Sequence, residues 1–99
     1  MKKNGSVYVA PEGHETWVDI REVLPDPGQI RTYFDPDELR SLGESMQQEG
    51  QVEAVKVTLI PKDKRNVKGL YEVLDGEKRY RAAKLAKIAK LLIVVRPAV

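Results

Sequence analysis

Asp75-Gly76-Glu77-Lys78-Arg79-Tyr80-Arg81 lies between an apolar run ending Tyr71-Glu72-Val73-Leu74 and an Ala/Leu/Lys-rich stretch of helical spacing. It reads as strand, glycine turn, helix. Gly76 can take the positive φ or cramped geometry that such a junction often needs, and a glycine lets a ligand approach the backbone closely. Lys78, Arg79 and Arg81 then crowd the first helical turn, where the positive dipole end and unpaired N–H groups make cations unfavourable by roughly 0.3–1 kcal/mol each. An anion there would remove the conflict, and phosphate suits both the backbone N–H groups and the planar fork of arginine. The competing reading is a solvated basic face, with Glu77 offsetting part of the dipole and pairing with Arg81 at i, i+4.

Working outward from this turn, Ala82, Leu85, Ala86 and Ala89 give the helix an apolar stripe, and Leu91-Leu92-Ile93-Val94-Val95 reads as a buried strand. On the N-terminal side, Val52 to Ile60 alternates, with Val55, Val57 and Leu59 facing one way and Lys56 and Thr58 the other. That segment and Leu70–Leu74 form a β-hairpin, because the charged loop from Pro61 to Gly69 is short for a crossover. Upstream, Phe34-Asp35-Pro36-Asp37-Glu38-Leu39 carries a helix-start signature: Asp35 as N-cap, Pro36 at the first helical position, Glu38 completing a capping box, and Phe34 with Leu39 as a hydrophobic staple. Leu39, Leu42 and Met46 continue the buried stripe, and Gly50 stands where a left-handed cap closes the helix. Trp17-Val18-Asp19-Ile20 is a strand with Val18 and Ile20 on one face and Trp17 on the other, stopped by Leu24-Pro25-Asp26-Pro27-Gly28. Residues 1–15 are expected to be a flexible tail. The whole predicts a small α+β domain over 16–99, with about four strands in a mixed sheet and two main helices.

At 99 residues there is room for one domain. Seventeen Lys and Arg against 15 Asp and Glu leave a formal charge of +2, a weak general attraction for nucleic acid or anionic membrane, yet the cations concentrate in residues 56–99. The absence of cysteine excludes disulfides, thiol chemistry and Cys-based zinc sites. His14, the sole histidine, has no partner pattern around it, so no metal site is expected. No apolar run reaches the ~18–20 residues of a transmembrane helix, and Met1-Lys2-Lys3-Asn4-Gly5-Ser6 lacks a following apolar segment, so a cytoplasmic protein is expected.

The order of these segments resembles the N-terminal domain of the ParB partition-protein family, in the ParB/sulfiredoxin superfamily, over about residues 18–96. The residues carrying the likeness are Pro25-Asp26-Pro27-Gly28-Gln29-Ile30-Arg31 with Phe34-Asp35, then Gly50, and above all Gly76-Glu77-Lys78-Arg79-Tyr80-Arg81-Ala82. The resemblance implies a nucleoside triphosphate pocket, with CTP as the nucleotide and Mg²⁺ as a companion ion, in which the triphosphate lies against the Gly-Glu turn. It assigns nucleotide binding to Gly50, Gln51, Gly76, Glu77, Lys78, Arg79 and Arg81, and nucleotide or DNA contact to Gln29 and Arg31. It further implies DNA clamping and partition through regions beyond this chain, homodimerisation, a ParA-type ATPase partner and CTPase activity. This chain departs from the family in two places: Lys78 stands for an arginine, and Glu53-Ala54 for Gln-Pro, which brings a carboxylate near the nucleotide. Because family members continue past such a domain, a chain stopping at Val99 reads as an excised domain or a stand-alone relative. The alternatives within the superfamily are a nucleotide-dependent serine kinase, with Glu53 or Glu77 as base, and a transcriptional regulator; sulfiredoxin chemistry is excluded by the missing cysteine.

Overall fold

The computed structural model describes residues 9–26, 33–61, 63 and 69–97. Its elements run β1 (Glu15–Asp19), a 3₁₀ turn (Ile20–Glu22), β2 (Val23–Leu24), α1 (Pro36–Glu49), β3 (Val55–Leu59), β4 (Tyr71–Asp75), α2 (Glu77–Leu85) and β5 (Lys90–Val95). The strands form one mixed sheet in the order β1-β5-β3-β4-β2. The β1/β5 and β3/β4 pairs are antiparallel, whereas β3/β5 and β2/β4 are parallel. The expected hairpin is therefore the β3/β4 pair, although most of its loop lies outside the described residues.

Five strands replace the expected four. The extra one is β2, two residues immediately before Pro25, with too little sequence to show a period of its own. It exists because Val23 and Leu24 pair with Tyr71 and Glu72 of β4, while the Val23 side chain is 1% exposed in the core. The N-terminal expectation also needs correction. Residues 1–8 lie outside the description, but Ala10 is buried and its N–H donates to the Tyr71 hydroxyl at 3.0 Å. Gly13 donates to the Val95 carbonyl and β1 begins at Glu15, so residues 10–15 belong to the fold.

The start of α1 follows its local signals. Asp35 accepts from the Asp37 N–H at 2.9 Å, Pro36 occupies the first turn, and Gly50, at φ 87°, closes the helix through its N–H on the Met46 carbonyl. The reciprocal capping-box bond is replaced: the Glu38 carboxylate accepts from Lys78 Nζ of α2. Met46 is buried, with Leu39 and Leu42 packed against the core.

Helix α2 is shorter than its stripe of small residues. It ends at Leu85, which is exposed, and Lys87 at φ 60° turns the chain toward β5 before Ala89 is reached. The two helices approach closely because position 43 is glycine. A Cβ there would stand 2.7 Å from the Ala82 carbonyl oxygen and 2.9 Å from the Ala86 Cβ. Ala82 and Ala83 are fully buried between α1 and the sheet, where Val55, Val57, Val73, Leu91 and Ile93 form the apolar face. No helix among the described residues is long and apolar enough to cross a membrane.

Candidate functional site

Strand β4 delivers the chain to Gly76, and α2 leaves it. Gly76 has φ 110° and ψ 27°, a conformation that glycine takes without a Cβ penalty, and a Cβ added there would stand 3.4 Å from Val55 Cγ1 of β3. It is the N-cap of α2 and supplies no side-chain hydrogen bond, so the first-turn N–H groups have no side-chain cap. An ordinary capping residue uses extended backbone to aim its oxygen at those groups, a geometry this left-handed position does not provide.

The charged residues after Gly76 divide between an inner and an outer side. Glu77 is 5% exposed, yet fully engaged: its Oε1 accepts from the Asp26 N–H at 3.1 Å and its Oε2 from Arg81 Nε at 2.9 Å. The Arg81 guanidinium also lies over the Phe34 ring, 4.9 Å from its centroid. Glu77 and Arg81 therefore tie α2 to the Asp26 and Phe34 segments. One turn on, the Tyr80 hydroxyl donates to the Val23 carbonyl at 2.8 Å, and burial first, then the Glu77 charge, raises its pKa above the usual phenol value. Together these contacts hold α2 against β2.

The outer cations are paired with exposed carboxylates from other elements. Lys78 Nζ meets Glu38 Oε1 of α1, and Arg79 meets Glu53 Oε1 in the segment leading into β3, each at 3.0 Å. These partners relieve the charge crowding read from the sequence, and they are 61% and 75% exposed. Exposed pairs of this kind contribute about 0–1 kcal/mol, so a stronger anion can displace them. Gly76 also separates two clefts. One, of about 280 Å³, is lined by Asp26, Phe34, Leu74, Asp75, Glu77 and Lys78, the other, of about 200 Å³, by Glu53, Ala54, Lys56, Asp75 and Arg79.

Gly76, Glu77, Lys78, Arg79 and Arg81 are thus brought together. Gly50 and Gln51 lie elsewhere, lining a third cleft beside Trp17 and Lys90. The Gln51 amide extends the β3/β5 ladder, accepting from the Leu92 N–H at 2.9 Å and donating to the Leu92 carbonyl at 2.9 Å and the Glu53 carbonyl at 2.8 Å. Its link toward the turn runs through Glu53, the partner of Arg79. Gln29 and Arg31 lie outside the described residues. Among the described residues no cluster of three His, Cys, Asp or Glu side chains is placed to hold a metal. Asp26, Phe34 and Leu74, which line the cleft beside Gly76, read in the sequence as turn, staple and strand residues and not as site residues; the fold recruits them.

Comparison with known proteins places this geometry in a family. The ParB N-terminal domain profile matches residues 8–98. Stage 0 sporulation protein J of Bacillus subtilis is 35% identical over 79 residues, which are 80% of this chain and 26% of that protein. The chain thus spans about a quarter of the length of that curated relative. The C-terminally truncated chromosome-partitioning protein ParB of Caulobacter crescentus, solved as a complex with CTP-γ-S, superposes with a TM-score of 0.74 at 26% identity, over 88% of this chain and 46% of that one. Sulfiredoxin of Arabidopsis thaliana shares the fold, with a TM-score of 0.66 at 16% identity over 86% of each chain. With a profile match over nearly its whole length and the five-stranded sheet and α2 turn in place, the chain belongs to the ParB N-terminal domain family.

Proposed function

We propose that this chain is the nucleotide-binding module of a cytoplasmic chromosome-partition protein, and that it takes the triphosphate of CTP at the start of α2. The observation that carries this reading is the glycine N-cap: left-handed, without a capping side chain, open to clefts on both sides and followed by Lys78 and Arg79. The residues fit a triphosphate. Gly76 makes the left-handed turn that leaves the N-terminus of α2 without a capping side chain, the N–H groups after it donate, and Lys78 and Arg79 exchange exposed carboxylates for phosphate oxygens. The Caulobacter relative's complex with a CTP analogue supports the choice of nucleotide. Bound triphosphate would supply a dense negative charge for the dipole end of α2, and Mg²⁺, which favours phosphates and water over an all-protein cage, would be held chiefly by the nucleotide.

Glu77 and Arg81 brace the turn in this scheme, while Gly50 and Gln51 act on it through the Glu53 segment. DNA clamping, homodimerisation and a ParA-type partner belong to the full-length protein, with Gln29 and Arg31 as further contacts to nucleotide or DNA.

The test is calorimetric titration of CTP, ATP and GTP with Mg²⁺ into the wild type and Arg79→Ala. CTP is expected to bind tightest, and Arg79→Ala to weaken binding by roughly 1.5–3 kcal/mol, the scale of a hydrogen bond to a charged group. CTP binding indifferent to Arg79 removes the triphosphate from this turn.

A further inference from the structure

Glu53 and Arg79 are unequal partners. The arginine side chain is 28% exposed and the glutamate 75% exposed, so packing holds the guanidinium while the carboxylate is free to swing away. What is anchored at position 53 is the backbone. Gln51 donates to its carbonyl at 2.8 Å, and the same amide is pinned to both backbone groups of Leu92 in β5. The carboxylate is consequently tethered beside Arg79, at a high effective concentration set by a few covalent bonds.

We propose that Glu53 is a built-in competitor for the phosphate site, an internal anion on Arg79 that lowers the site's affinity for phosphate ligands. The inference rests on the phosphate reading of the α2 start. A ligand oxygen arriving at Arg79 must first displace the Glu53 carboxylate, so the gain from this contact is reduced by the loss of the ion pair. The displaced carboxylate then remains tethered within Coulomb range of the incoming phosphates, with Asp75 lining the same cleft. The N–H groups of α2, Lys78 and Lys56, which lines the same cleft and pairs with Asp75 at 3.9 Å, supply the rest of the attraction. A site of this kind stays empty at low ligand concentration and fills only when nucleotide is abundant, whereas the same turn without Glu53 would fill earlier.

The experiment titrates inorganic tripolyphosphate and CTP into the 99-residue wild type, Glu53→Gln and Glu44→Gln, the last removing an equal charge from an exposed position on α1. Glu53→Gln is expected to tighten both ligands about two- to fivefold at low salt, the scale of an ion pair with an exposed carboxylate, and the gain should shrink as salt screens the charges. Glu44→Gln should change either affinity less than about twofold, as for a distant screened charge. Because Glu53 is exposed, thermal melts of the three proteins should nearly coincide. If the wild type binds tripolyphosphate and Glu53→Gln binds it no more tightly, Glu53 is no competitor, although the phosphate site stands. Equal tightening by Glu44→Gln reduces the effect to general charge and overturns the proposal. Failure of all three proteins to bind either ligand removes the phosphate site and the competitor with it.

Discussion

The two helices of this domain begin in opposite ways. Helix α1 starts at Asp35, whose carboxylate caps the Asp37 N–H, with Pro36, Asp37 and Glu38 following: every choice relieves the dipole or fills an orphan donor. Helix α2 starts at a left-handed glycine with no capping side chain and places Lys78 and Arg79 where cations are least comfortable. The first start is built for folding and the second leaves its donors available. They are also coupled, because surplus charge from one neutralises the other through the Glu38–Lys78 pair. An N-terminus that breaks local rules is tolerable here because its inner side is braced by Glu77, Arg81 and Tyr80.

That contrast can be broken most directly at the brace. Glu77→Ala strips the partner from the Asp26 N–H and the carboxylate from Arg81, so it should destabilise the domain by about 2–4 kcal/mol, below the full cost of a deeply buried pair because Arg81 is 36% exposed. Urea denaturation checks this, and an unchanged midpoint would mean that the α2 start needs no brace. At the self-sufficient start, Asp35→Ala should cost about 0.5–2 kcal/mol by the same measurement. A loss as large as that of Glu77→Ala would show that α1 depends on its cap as heavily as α2 depends on its brace. The link between the starts is the weakest element. A double-mutant cycle with Glu38→Gln and Lys78→Gln should give a coupling of about 0.2–1 kcal/mol that fades with added salt. Coupling well above that range would make Lys78 a structural cation unavailable to a ligand.

Legibility follows the range of the forces involved. The start of α1, its glycine stop, the β3/β4 hairpin and the apolar face of β5 were readable because each is set by neighbours along the chain: a cap, a period or a short connection. Strand β2 was hidden because two residues carry no period, and its pairing partner, β4, lies dozens of residues away in the sequence. The end of α2 was overestimated for a related reason. Ala86 and Ala89 keep helical spacing, but closing the β1/β5 and β3/β5 ladders requires the chain to turn at Lys87.

In the candidate site, the glycine turn and the basic cluster were determined by the sequence alone, and the Glu77–Arg81 pair was legible there as the competing i, i+4 reading, since all lie within one strand-turn-helix junction. Only the tertiary structure decided what meets them: Glu38 on Lys78, Glu53 on Arg79, the Asp26 N–H on Glu77, and Gln51 drawn into the β5 ladder instead of the cleft at Gly76. A local pattern specifies backbone conformation and the charges it carries. The partners of those charges come from segments that adjoin only after hydrophobic burial has collapsed the sheet and helices, and burial acts on area without regard to sequence separation.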